Sequence, residues 1–190
     1  RFLGLADRDI GIVRQDRCDV AGKKVVLGLV QSLSLAGRYP PGTFDDFGGT
    51  FSFDPAAPAA ASVEAEIKVA SISTGNAKRD GHLQSPDFFD AAKFPTITFK
   101  STGLKMTSET EGVLTGTLTM HGVTKDVTLA LTYNGSVKDP WGTQRVGFSA
   151  SGKLNRQDYG LTYNTVLETG GLAVGNDIEL NLEIEGTLKK

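Results

Sequence analysis

Five separated segments of this chain alternate apolar and polar residues with a period of two, a pattern that restricts it to strands with one dry face. Val63, Ala65, Ile67 and Val69 fall on one face, and Glu64, Glu66 and Lys68 on the other. Leu114, Gly116, Leu118 and Met120 alternate with Thr115, Thr117 and Thr119. Val127, Leu129, Leu131 and Tyr133 form a third apolar face, and Val146, Phe148, Ala150 and Leu154 a fourth. Ile178, Leu180, Leu182 and Ile184 form a fifth, opposed by Glu179, Asn181, Glu183 and Glu185. An antiparallel meander of such strands must curl onto itself or pack against a second sheet.

The connections carry turn chemistry. Asn134-Gly135 and Asp139-Pro140-Trp141-Gly142 predict turns, His121-Gly122 predicts a tight hairpin, and Asp54-Pro55 through Pro58 ends a strand containing Phe51 and Phe53. Ser85, Pro86 and Asp87 combine a hydroxyl cap, a proline and an early acid, the start of a short helix. Phe94-Pro95 stops it, because the residue before proline is pushed out of the α region. Near the start, Asp9–Arg14 is a candidate first strand. Lys23-Lys24 followed by Val25–Ala36 looks superficially like a signal-peptide core, but it lies mid-chain and is better read as a strand or hairpin.

With 190 residues the chain has the length of one domain, 1–190. A net charge of −2 with interspersed signs argues against nucleic acid as a partner. Cys18 is the only cysteine, so no intrachain disulfide forms. No apolar run reaches the length of a transmembrane helix. A first residue of Arg1 fits a processed, exported protein, and a cloned one equally.

Few residues invite catalytic chemistry. His82 and His121 are far apart and lack neighbours at ligand spacing, so no metal site and no cofactor are expected. His121 serves a turn on this reading, and His82 a hydrogen bond from helix to barrel. Arg79, Asp80 and His82 lie within four residues, yet no nucleophile accompanies them. Their expected role is to anchor the helix, with Arg79 and Asp80 pairing locally, or to meet a polar ligand head group. Asn155–Gly160 reads as a turn at a barrel rim, with Arg156 and Asp158 paired or solvated. The aromatics Phe88, Phe89, Phe94 and Phe99 suit a helix closing one end of a barrel. Ala65, Gly116, Ala150 and Gly152 are small residues on large apolar faces and tilt the interior towards a cavity. Alternation places Phe89, Phe99, Leu118, Met120, Leu129, Leu131, Phe148, Leu180 and Leu182 on its wall as ligand-binding residues.

The segment Ser71–Ser101 resembles the signature of the YceI-like family, lipocalin-like bacterial proteins that hold polyisoprenoid or other long-chain lipids in a barrel. Gly116–Leu129, Asn155–Leu161 and Val174–Glu185 agree with it in order and spacing, and the match covers roughly Gly42 to Glu185. Relatives open with an aspartate and a His-Ser pair, then a second histidine. Asp9 and Gln15 stand nearest those places here, so no role of those histidines carries over, and residues 1–41 form an atypical N-terminal segment. Tyr159 stands where relatives often have phenylalanine. The resemblance implies an all-β fold, an antiparallel lipocalin-like barrel of about eight strands with one short helix capping an opening. It also implies a non-enzymatic carrier or sequestering protein for a polyisoprenoid, isoprenoid quinone or fatty-acid derivative. A periplasmic or secreted location is expected, with a cytoplasmic one and a homodimer both compatible. A ligand-free structural or interaction domain is the second reading, and an enzyme acting on an apolar substrate the third.

Overall fold

The computed structural model describes residues 23–36, 42–53, 60–164 and 174–188; the side chains of 23–36, Phe53 and Leu188 are not described. The candidate strand Asp9–Arg14, together with Cys18, lies outside these residues. The chain forms β1 (Lys23–Ala36), β2 (Gly42–Phe44), β3 (Phe47–Phe53), β4 (Ser62–Lys68), β5 (Ile72–Ser73) and α1 (Ala77–Gln84). It continues through β6 (Thr96–Met106), β7 (Glu111–Met120), β8 (Val123–Lys138), β9 (Gln144–Asn155) and β10 (Asp177–Leu188). Lys23–Ala36, read as a strand or hairpin from sequence, is one strand.

Neighbouring strands run in the order β10-β9-β8-β7-β6-β4-β3-β1, and β1 pairs again with β10, so the sheet closes on itself. Every one of these pairings is antiparallel. The long strands therefore make a closed meander barrel, in which paired edges satisfy the backbone and the dry faces turn inward. The short strands β2 and β5 pair with each other where the β3–β4 hairpin bends away. Asp45 N–H donates to Ser71 O at 3.2 Å and Lys68 N–H to Asp46 O at 2.8 Å, so both arms bend at one level.

The hairpin between β7 and β8 turns at His121 (φ 52°) and Gly122 (φ 74°), the double positive φ of a two-residue hairpin loop. Asn134-Gly135 is not a turn. It is a bulge inside β8, where the register shifts between Tyr133 and Gly135 and Gly135 takes φ 102°. The turn comes at Asp139–Thr143, where Asp139 Oδ1 accepts from the backbone N–H of Trp141 and Thr143.

The helix lies upstream of its expected position. Asn76 caps it, its Oδ1 accepting from the N–H groups of Lys78 and Arg79 at 3.1 Å. Ser85 ends it instead of starting it, sitting extended (φ −73°, ψ 169°) ahead of Pro86. The rule invoked for Phe94-Pro95 thus applies first at Ser85-Pro86. Residues 85–94 follow as successive turns, including Asp90 at φ 47°.

Candidate ligand-binding lumen

Cross-strand register decides which side chains share the interior. Leu114 faces Leu129, Leu131 faces Ala150, and on β10 Ile178 faces Leu154, Leu182 faces Ala150 and Ile184 faces Phe148. Directly opposed residues point to one side of a sheet, so these pairs form a continuous inner wall. Together with Phe44, Phe47, Phe51, Val63, Ala65, Ile67, Ile97, Phe99 and Met120 they enclose a cavity. Among the described residues, no side chain bearing oxygen or nitrogen lines it. Its volume is about 110 Å³, counted as room for the centre of a water-sized sphere. One water needs only ~10–15 Å³ on that measure, and an apolar cavity stays dry and takes apolar guests.

The residues expected on the wall are mostly brought together there: Phe99, Leu118, Met120, Leu129, Leu131, Phe148, Leu180 and Leu182 all line the cavity. Phe89 does not. It is buried in the core at the helix end of the barrel and meets Phe44 edge-on at 6.0 Å. It follows the displaced helix instead of sitting on one, which is why strand-like alternation misplaced it. The small residues divide into two kinds. Ala65 and Ala150 leave open wall. Gly116 and Gly152 are covered by neighbours: a Cβ at Gly116 would stand 2.5 Å from the Phe99 ring, and one at Gly152 would stand 2.5 Å from Leu129.

The helix end is sealed by a cluster containing Val69, Ile72, Phe88, Phe89, Tyr159 and Leu161, with Leu83 of α1 packed against it. Arg79 and Asp80 do not pair with each other. Both bind Thr74: Arg79 Nε donates to its Oγ1 and Nη2 to its carbonyl, each at 2.7 Å, while Asp80 Oδ1 accepts from its N–H at 2.9 Å. They anchor the helix start to the strand before it, away from the lumen. His82 makes no bond to the barrel wall. Its Nε2 meets Asp87 Oδ2 at 3.0 Å, and its ring stands edge-on to Phe88 and Tyr163. His121 serves the turn as expected, its Nδ1 within 3.1 Å of Tyr159 O.

The rim reading of Asn155–Gly160 fails at its most informative residue. Arg156 is not paired with Asp158 at a wet rim; it is 3% exposed and inside the protein. Its guanidinium donates to the carbonyls of Leu161, Gly175 (2.8 Å) and Val174 (3.5 Å), bringing together the chain on either side of residues 165–173. Asn164 reinforces the join, exchanging hydrogen bonds with the N–H and carbonyl of Val174. Burial pulls the Arg156 guanidinium below its ordinary pKa, and pushes the neighbouring Tyr159 phenol above its own. A lone arginine two residues from an aspartate gives no sequence signal for carbonyl partners this far along the chain. Tyr159 OH and Asn176 Oδ1 are buried with no hydrogen-bond partner among the described residues.

Comparison with known proteins agrees with this architecture. A family model described as the YceI-like domain matches residues 28–186, reaching into β1, further than the roughly Gly42 start read from motifs. A UPF0312 protein of Pseudomonas savastanoi pv. phaseolicola is 44% identical over 149 residues, 78% of this chain and 74% of that protein. The crystal structure of a Campylobacter jejuni YCEI protein superposes with a TM-score of 0.71 at 31% identity, covering 100% of this chain and 99% of the other. A polyisoprenoid binding domain from Saccharophagus degradans shares the fold, with a TM-score of 0.61 at 14% identity over 88% of this chain and 99% of that domain.

Proposed function

This chain belongs to the YceI-like family, and we propose that it carries or sequesters a long-chain apolar molecule in its lumen, without catalysing its conversion. The observation that carries this reading is a closed barrel around a cavity whose described lining residues are all apolar. Candidate ligands are a polyisoprenoid, an isoprenoid quinone or a fatty-acid derivative, and the polyisoprenoid binding domain of similar fold supports the first. Burying each methylene contributes ~0.8 kcal/mol, so a five-carbon unit contributes roughly 4 kcal/mol before ordering costs. Among the described residues no polar side chain lines the cavity to orient a reacting bond, and the Arg79, Asp80 and His82 group is spent on Thr74 and Asp87. A periplasmic or secreted setting, where a lipid must cross water, suits such a carrier.

Native mass spectrometry followed by solvent extraction tests the proposal, with added polyprenols as the second arm. A stoichiometric long-chain lipid is the expected result. Leu118→Arg, which puts a charge on the wall, is expected to abolish uptake. No binding of any polyprenol, quinone or fatty-acid derivative, or unchanged binding by a folded Leu118→Arg protein, would refute it and favour a ligand-free structural domain.

A further inference from the structure

The most exposed large apolar side chains among the described residues are Val137, at 58%, and Trp141, at 85%. Single exposed apolar residues are ordinary on a protein surface. These two share one hairpin, and Trp141 is the only tryptophan in the chain.

That hairpin outruns the sheet on its β7 side, while on the other side β10 accompanies β9 as far as the Arg145–Thr187 pair. The last β7–β8 pair is Glu111 with Thr132, and Tyr133 N–H still reaches Thr110 O at 2.7 Å, but β8 runs on to Lys138. At ~3.4 Å per residue, Asn134–Lys138 carries the tip roughly 15 Å past the β6–β7 turn. The tip lies at the end opposite α1, because the β7–β8 turn at the helix end is the other terminus of β8.

Its shape is built in. Asp139 Oδ1 accepts from the N–H of Trp141 at 3.0 Å and of Thr143 at 2.8 Å, and Oδ2 accepts from Arg145 Nε at 3.1 Å. Arg145 also pairs with Glu185. Among the described residues Lys138 makes no ion pair with a carboxylate, and its chain passes beside the glycine next to Trp141: a Cβ at Gly142 would lie 3.7 Å from Lys138 Cε. The tip therefore presents an exposed indole on a turn whose backbone Asp139 holds, with the Lys138 side chain running beside the adjoining Gly142.

The size of this patch selects its partner. A specific protein interface buries roughly 1,200–2,000 Å² in total, whereas one tryptophan supplies about 150–250 Å². A bilayer surface needs no matching shape, and an indole beside a lysine suits the headgroup layer, with the ammonium at lipid phosphate. We propose that the β8–β9 hairpin is a membrane-touching tip that inserts Trp141 into the interface of a phospholipid bilayer and stands the barrel on it end-on. One such anchor gives reversible contact, as stable attachment takes two signals. The purpose of that contact, exchange of an apolar ligand with the membrane, rests on the carrier reading; the contact does not.

The test uses vesicles of phosphatidylcholine mixed with phosphatidylglycerol. Trp141 emission is expected to move to shorter wavelength and to be quenched by brominated phosphatidylcholine. In co-sedimentation, Trp141→Ala is expected to lower partitioning about tenfold, and Lys138→Ala to lower it less and in a salt-sensitive way. Emission indifferent to vesicles, or undiminished sedimentation of Trp141→Ala, overturns the proposal. So does a blue shift that follows protein concentration without lipid, which would make a second copy of the chain the partner. Uptake of an apolar fluorescent probe in solution is measured alongside. Lost vesicle binding with normal uptake refutes the tip alone, and normal vesicle binding without uptake refutes the carrier alone.

Discussion

Arg156→Met removes a buried guanidinium while keeping much of its volume, and the structure sets the size of the effect. Its guanidinium donates to Leu161 O and, at an ordinary 2.8 Å, to Gly175 O, and the third contact, to Val174 O at 3.5 Å, is marginal. An orphaned buried carbonyl costs about 1–3 kcal/mol, so losing two partners costs roughly 2–6 kcal/mol. Against this, a methionine no longer has to be stripped of the water that a guanidinium would hold. Replacing every member of a buried ionic cluster can even stabilise a protein, but these acceptors are backbone carbonyls and stay behind. The net expectation is a loss of about 3 kcal/mol. For a domain of this size, where 1 kcal/mol shifts the midpoint by ~2–4 °C, that lowers thermal unfolding by about 6–12 °C. Circular dichroism melts and urea titrations measure it. Amide exchange gives a local check, because Val174 N–H, bonded to Asn164 Oδ1, should exchange faster when the join loosens. An Arg156→Met protein that unfolds at or above the native midpoint, with Val174 still protected, would show that the arginine does not hold this join.

Two other positions give sharp expectations. Tyr159→Phe removes a buried hydroxyl that has no partner among the described residues, so it should raise stability by about 1 kcal/mol; a measured loss would mean that the hydroxyl is satisfied. The Asp139 carboxyl is held below its ordinary pKa, first by the Thr143 N–H and also by Arg145 and the Trp141 N–H. Its contribution to the hairpin should be complete above the usual aspartate value of about 3.9 and fade as pH falls through the lowered one. The Trp141 and Thr143 amide resonances should titrate together with a midpoint below that value, and a midpoint at or above it would contradict the geometry.

The wall of the lumen was legible because period-two alternation is a direct geometric consequence of the strand, and Leu114, Leu129, Phe148 and Leu182 obey it. Turns were legible only where backbone conformation demanded it. His121-Gly122 is a hairpin loop, but Asn134-Gly135, with equally good turn chemistry, is a bulge within β8. A glycine at positive φ serves either purpose, and pairing by β9 decides between them. The helix was displaced for a similar reason: Ser85-Pro86 fits a helix start and a helix stop alike, and the Asn76 cap resolves it. Least legible was Arg156, whose partners Val174 and Gly175 are separated from it by a stretch with no periodic pattern. Its burial depends on long-range closure that no local spacing encodes.

The chemistry of the wall also fixes how a ligand would lie on the carrier reading. Tyr159 OH, Asn176 Oδ1 and the Arg156 guanidinium are buried or largely buried polar groups near the helix end, yet none of these residues lines the cavity. A hydroxyl or carbonyl drawn into that space would find no hydrogen-bond partner among the described wall residues, and an unpaired one costs roughly 2–7 kcal/mol. That is comparable to the ~4 kcal/mol contributed by one five-carbon unit. An amphiphile therefore gains by leaving its polar group outside and filling the lumen with its tail. Selection among ligands on this reading follows the length and girth of the apolar chain, because the described wall residues are all apolar.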